Sequence, residues 1–206
     1  MVAKNKRINM KIINRIKRSA FYYRLKHSIR DYYVFYADST EMLDKAEKLI
    51  RPLPEGCELV HLTEENKDQY KCKWKVNKML SVNGEVWAVV KDDEIIAYHY
   101  GTHRFKESLF FKVENCDFEH IELMVDEKFR RKGIGLYLLY HTVKNLNLNK
   151  AGDLRKLGTV IGPDNIPSIK LHELIGFKKD RRVTFFHWPR TKGGHYKYIN
   201  VPHYSI

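Results

Sequence analysis

The chain has 206 residues, of which 43% are hydrophobic and 31% charged, and its formal net charge is +13. That length suits one domain of ordinary size with at most an appendage. No run of about 18 apolar residues occurs, which excludes a membrane-spanning helix. Three cysteines without a C-x-x-C pair argue against a disulfide framework and a structural zinc site.

Residues 1–30 hold ten Lys/Arg and no Asp/Glu, so the remainder carries only +3. Ile8, Ile12, Ile16 and Ala20 recur every four residues among these cations, which predicts a basic amphipathic helix over 5–30. It is read as an extension, with the globular domain over 31–206. Such a helix packs on a protein surface or lies on an anionic membrane face. Contact with nucleic acid through phosphates is the less favoured reading. No apolar signal-peptide core follows the basic N-terminus, so a cytoplasmic protein is expected, with the inner membrane surface as the alternative address.

The aromatic run 31–38 predicts a strand, and Ser39 or Thr40 is placed to cap a helix ending near Leu49. A short strand is expected at 57–62 and a helix from Thr63 to about Lys75. Two apolar runs flanking "KDDE" predict a hairpin over 85–105, with further strands at 109–113 and 120–125. Ile134, Leu138, Leu139, Val143 and Leu146 have helical spacing within 133–147. A buried strand at 157–162 is followed by Asn165 as a helix cap, Pro167 in the first turn and Gly176 at the helix end. Strands at 182–188 and 196–201 close the chain. The order predicts a mixed α/β sheet flanked by helices.

The stretch 130–135, R-R-K-G-I-G, opens a helix directly after a strand. The first N–H groups of a helix lack intrahelical partners, and its dipole adds positive charge there. Gly133 and Gly135 let an anion approach those amides, and Arg130, Arg131 and Lys132 add charge at the same mouth. A cationic cluster opposes the helix dipole, so a bound polyanion explains it better than helix design does. The motif is neither a Walker loop nor a dinucleotide fingerprint, since Leu138 stands at the third glycine position.

The segment "LMVDEKFRRKGIG" (123–135) resembles the acyl-CoA-binding motif of the GNAT superfamily of N-acetyltransferases, and "NIPSIKLHELIGF" (165–177) resembles its second motif at Asn165, Ser168, Leu171, Gly176 and Phe177. The resemblance covers about residues 33–190. It implies a GNAT-like, mostly antiparallel sheet, acetyl-CoA as co-substrate, an amine-bearing acceptor and no metal. It implies a cofactor site at Leu123, Val125, Arg130, Arg131, Lys132, Gly133, Ile134, Gly135, Asn165 and Ser168. Glu119 is the candidate base that deprotonates the amine, weighed evenly against an ordinary strand carboxylate. Strict alternation puts Glu119 on the face of Ile121 and Leu123, with His120 and Glu122 opposite unless a bulge intervenes. His172, where the family usually has tyrosine, is the candidate acid, with Tyr137, Tyr140 and Tyr196 as alternatives. His99 and His103 are read as ordinary strand residues or as part of an acceptor pocket. The alternative function is a non-catalytic acyl-CoA-binding or partner-binding module of the same fold. The acceptor, an amino sugar among other amines, and the oligomeric state are left open.

Overall fold

The computed structural model describes residues 29–74, 84–103, 116–149, 154–187 and 198–202, with Val76 and Leu80 between. The helix expected over 5–30 lies outside them up to residue 28, and Ile29 and Arg30 belong to a strand instead; the strand at 109–113 and Tyr196 lie outside them as well. The chain forms two compact units, Met1–Tyr33 with Arg181–Ile206, and Val34–Asp180. None of the described helices is long and apolar enough to cross a membrane.

The elements run β1 (Ile29–Asp38), α1 (Ser39–Glu47), β2 (Cys57–Leu62), β3 (Glu85–Lys91), β4 (Glu94–His103), β5 (Phe118–Val125), α2 (Ile134–Asn149), β6 (Lys156–Ile161), α3 (Ile166–Leu174), β7 (Lys178–His187) and β8 (Tyr198–Pro202). In the unit Val34–Asp180 the strand order is β2-β3-β4-β5-β6-β1-β7. The pairs β2–β3, β3–β4 and β4–β5 are antiparallel, and β5–β6 is parallel. This is the mixed sheet flanked by helices that the sequence predicts. In the other unit β7 pairs antiparallel with β8, and the Asp31 carboxylate accepts a hydrogen bond from Thr184 and pairs with Arg182.

Alternation along β3 and β4 makes the two apolar faces. One face packs Val86, Ala88, Tyr98 and Tyr100 with Leu62, Val76 and Leu80; the other packs Trp87, Val89 and Ala97 against Ile134 and Leu138 of α2. The hairpin turn is built by Asp92 and Asp93, both at positive φ (50° and 59°). Consecutive left-handed residues match the twist of a tight β-hairpin, and aspartate tolerates them.

Two expectations are corrected. Asp38, not Ser39 or Thr40, caps α1, its carboxylate accepting from the Glu41 N–H at 3.0 Å. The Ser39 hydroxyl instead donates to the Leu154 carbonyl. The helix expected from Thr63 is only a 3-10 turn at Lys67–Gln69. The Asn66 side chain binds the Thr63 N–H and the His61 carbonyl. The Lys71 backbone then pairs with Asp93 and Ile95 at the hairpin end, so its hydrogen bonds go to the sheet rather than to a helix.

Candidate active site

β5 does not alternate strictly. Tyr100 pairs with Glu122 and Gly101 with His120, so Ile121 is an extra residue facing no partner. The cause lies in β4. A Cβ at Gly101 would come within 2.3 Å of the Phe118 ring and 2.7 Å of the Glu119 carbonyl oxygen. Glycine therefore admits a backbone approach that any side chain forbids. Glu119 keeps the side of Ile121 and His120 the opposite one, as alternation predicts, while the bulge brings Glu122 to Glu119's side and moves Leu123 across. Glu119 opposite Thr102, Glu122 opposite Tyr100 and Met124 opposite Tyr98 share the Tyr98/Tyr100 face, together with Ile121. Leu123 and Val125 pack on the α2 face, the side of His99 and Ala97. His120, opposite Gly101, lies there too and bonds to His99.

Glu119 is 4% exposed. The neighbouring carboxylates Glu119 and Glu122, with burial as the larger cause, push the Tyr100 phenol up to about 12. Burial and Glu122 raise Tyr98 as well. Both phenols stay protonated at neutral pH, and the Tyr100 hydroxyl is buried without a hydrogen-bond partner among the described residues.

The β5–β6 ladder has only three rungs, Phe118↔Leu157, Glu119↔Gly158 and His120↔Thr159. The Thr159 hydroxyl seals the last by donating to the His120 carbonyl at 2.9 Å. Beyond it the two strands separate, and the chain leaving β5 enters the basic turn. Asp126 caps a 3-10 turn through the Lys128 N–H at 2.9 Å and pairs with Lys73; both hold its carboxyl below the usual range, Lys73 more strongly. Arg130 donates from Nε to the Val125 carbonyl at 3.2 Å. Arg131 and Gly133 take positive φ, 64° and 81°, and Lys132 lies over the Phe129 ring.

These turns deliver the chain into α2, whose first backbone bond runs from the Tyr137 N–H to the Gly133 carbonyl at 3.0 Å. The N–H groups of Ile134, Gly135 and Leu136 precede it and have no carbonyl one turn back. Arg130, Arg131, Lys132 and Gly133 are all exposed around them. A Cβ on Gly135 would sit 3.5 Å from Leu123, 3.6 Å from Leu171 and 3.9 Å from Val125. The missing side chain therefore keeps a gap between β5 and α3. A pyrophosphate on the free amides with an apolar-walled chain running into that gap fits these residues.

α3 forms as its sequence predicts. Asn165 caps it by accepting from the Ser168 N–H at 3.3 Å, and Gly176 takes φ 98° at its end. The helix presents Leu171 to the gap and buries His172 beneath the sheet, 3% exposed and beside Phe177. His172 Nδ1 lies 2.8 Å from the Ser168 carbonyl, so Nδ1 carries the proton and Nε2 is an acceptor. Burial pulls this imidazole down to about 4, so it is neutral at pH 7. The proton donor to a thiolate that its position suggests would call for the imidazolium. Tyr140 is committed elsewhere: it donates to Glu47 at 3.0 Å and accepts from Lys144. Tyr137 packs against His141, the ring planes tilted by 36°.

His99 is not an ordinary strand residue. It is fully buried, 2.8 Å from His120 Nδ1 through its Nε2 and 3.1 Å from Thr142 Oγ1 through its Nδ1. A histidine inside the apolar run "IIAYHYG" (95–101) is the sequence signal for it, since an imidazole is buried only with partners. His103 faces Glu85 at 3.5 Å. No group of His, Cys, Asp and Glu suited to a metal ion occurs among the described residues.

The model of the Acetyltransferase (GNAT) family matches residues 50–177. No curated protein matches the sequence. Among solved structures, a tandem GNAT protein from the clavulanic acid biosynthesis pathway superposes with a TM-score of 0.55 at 14% identity, over 75% of this chain and 51% of the other. A Drosophila protein superposes with a TM-score of 0.52 at 16% identity, over 76% and 50%. The chain thus spans about half the length of these structures, and the likeness is one of fold.

Proposed function

The chain belongs to the GNAT acetyltransferase family, and we propose that it moves an acetyl group from acetyl-CoA to a primary amine by direct attack. The observation that carries this reading is the parting of β5 and β6 after His120↔Thr159, next to a glycine-opened, cation-rimmed helix N-terminus. The Ile134, Gly135 and Leu136 amides with Arg130, Arg131 and Lys132 hold the pyrophosphate. Leu123 and Val125 line the chain that enters the gap at Gly135, and Asn165 and Ser168 shape the opposite wall.

The amine nitrogen attacks the thioester carbonyl carbon. A C–N bond forms, the C–S bond breaks, and CoA leaves as the thiolate, which takes up a proton. A lysine-like amine has a pKa of about 10.4 and must first lose a proton. Glu119 is the base, buried on the face it shares with Tyr100 and Glu122. A base in position contributes roughly 10²–10⁴-fold. Assaying free thiol released from acetyl-CoA against a panel of primary amines, amino sugars included, tests the activity. E119Q should lower kcat/KM by about 10²-fold or more and leave acetyl-CoA affinity unchanged. An unaltered rate removes Glu119 from the mechanism.

One observation favours a second reading, a module that binds acyl-CoA without turning it over. His172, at the family's usual proton-donor position, is buried and neutral. Saturable acetyl-CoA binding with no thiol release for any amine would support that reading.

A further inference from the structure

His99 on β4, His120 on β5 and Thr142 on α2 form one buried chain, and the reaction described above uses none of them. Their distances are 2.8 Å from His99 Nε2 to His120 Nδ1 and 3.1 Å from His99 Nδ1 to Thr142 Oγ1. Exposure is 0% for His99 and Thr142 and 2% for His120. Burial keeps both imidazoles neutral, so each ring carries one proton.

Two proton arrangements satisfy the central bond, and donor accounting separates them. Among the described residues, the hydrogen-bond partner of the Thr142 hydroxyl is His99. If His99 Nδ1–H donated to Thr142, the buried hydroxyl proton would have no acceptor, and His120 Nε2 would be an orphan lone pair as well. If Thr142 donates to His99 Nδ1, His99 Nε2–H donates to His120 Nδ1, and a single group is unmatched: His120 Nε2–H. Each orphaned buried polar group costs free energy, so the second arrangement holds. Among the described residues, His120 Nε2 is indeed buried with no partner.

The position of that donor is informative. The two nitrogens of an imidazole point to nearly opposite sides. Nδ1 faces His99 on β4, so Nε2 faces away from that partner; the Phe177 ring centroid lies 5.7 Å from that of His120. His120 is the last β5 residue on the β5–β6 ladder, at the point where the strands part. His172, whose ring centroid lies 5.0 Å from that of Phe177, has spent its one proton on the Ser168 carbonyl. Of the two imidazoles flanking Phe177, only His120 has an N–H to give.

We infer that the His120 Nε2–H binds the carbonyl oxygen of the acyl thioester at the apex of the split, with His99 and Thr142 as positioning residues that fix its tautomer. The inference rests on reading the split as the acyl-CoA site. No proton is transferred in this step. A neutral, preorganised donor stabilises the negative charge that develops on the oxygen as the amine attacks.

The test compares acetyl-CoA with S-ethyl-CoA, which lacks the carbonyl oxygen, by calorimetry on the full chain. The wild type should bind acetyl-CoA about tenfold more tightly, the scale of one good hydrogen bond. H120F should bring the two affinities to within about twofold, and H120Q, which keeps an N–H near the Nε2 position, should recover part of the difference. A wild-type preference retained by H120F overturns the inference. If H120F does not fold, imidazole ¹⁵N spectra of the wild type decide. A protonated His120 Nε2 whose resonance moves with acetyl-CoA but not with S-ethyl-CoA supports it; an unprotonated Nε2, or equal response to both, overturns it. Failure of the wild type to bind either compound would remove the acyl-CoA reading and this inference together.

Discussion

His99 Nε2 and His120 Nδ1 lie 2.8 Å apart, joining two buried imidazoles across β4 and β5. Burial depresses both, His99 to about 3, and it lowers the nearby His172 to about 4. In the unfolded chain these groups take up protons near pH 6.5. Between pH 6.5 and about 4 the unfolded state therefore binds more protons, and stability falls as pH falls. The loss by pH 5 is on the order of 2 kcal/mol for each histidine that stays neutral in the fold. Urea unfolding at pH 7 and pH 5 should show it, and equal stability at the two values would contradict burial of neutral imidazoles.

Gly133 and Gly135 have different physical roles, and alanine separates them. Gly133 sits at φ 81°, where an added Cβ costs about 1–2 kcal/mol. Gly135 has no positive φ, and its added Cβ would meet Leu123 and Leu171 at ordinary contact distances. G135A should melt at or above the wild-type temperature yet bind acetyl-CoA more weakly, because the methyl group intrudes on the gap. G133A should lower the melting temperature. The reverse pattern would show that the gap is not a ligand channel.

The bulge in β5 depends on Gly101. In G101A the new methyl group would strike Phe118 and the Glu119 carbonyl, so the cost is about 1–3 kcal/mol or more, as for overpacking elsewhere. The same variant should lose acetyl transfer beyond what its stability explains, because Glu119 and His120 lie on the displaced backbone. Full activity at permissive temperature would mean that the bulge does not set the site.

Tyr100 buries a hydroxyl without a partner among the described residues. Removing an unsatisfied polar atom is neutral or stabilising, so Y100F should match or exceed wild-type stability by up to about 1 kcal/mol. A loss of more than that in chemical denaturation would mean that the hydroxyl has a partner in solution.

The local geometry of the candidate cofactor segments was readable from sequence because its determinants are local. Arg130 to Gly135 follow a strand and open a helix, and Asn165 and Gly176 bracket α3 through a cap and a positive φ that only neighbouring residues decide. The buried polar chain and the facing of β5 were not readable in the same way. The His99–His120–Thr142 chain joins residues 21 and 43 apart in sequence, and no spacing rule links them. The bulge arises where Gly101 crowds Phe118 across two strands, so strict alternation gave the wrong side for Glu122 and Leu123. The helix expected at 63–75 failed because Asn66 and Lys71 found partners in His61 and the hairpin, a tertiary preference that outweighs local propensity.

The central claim is that the parting of β5 and β6 above R-R-K-G-I-G is an acyl-CoA site. A calorimetric titration of the full chain with acetyl-CoA tests it most directly, alongside G135D, which puts a carboxylate beside the pyrophosphate amides. The account predicts saturable one-to-one binding by the wild type and none by a folded G135D. No binding by the wild type, or equal affinity in both proteins, would contradict it.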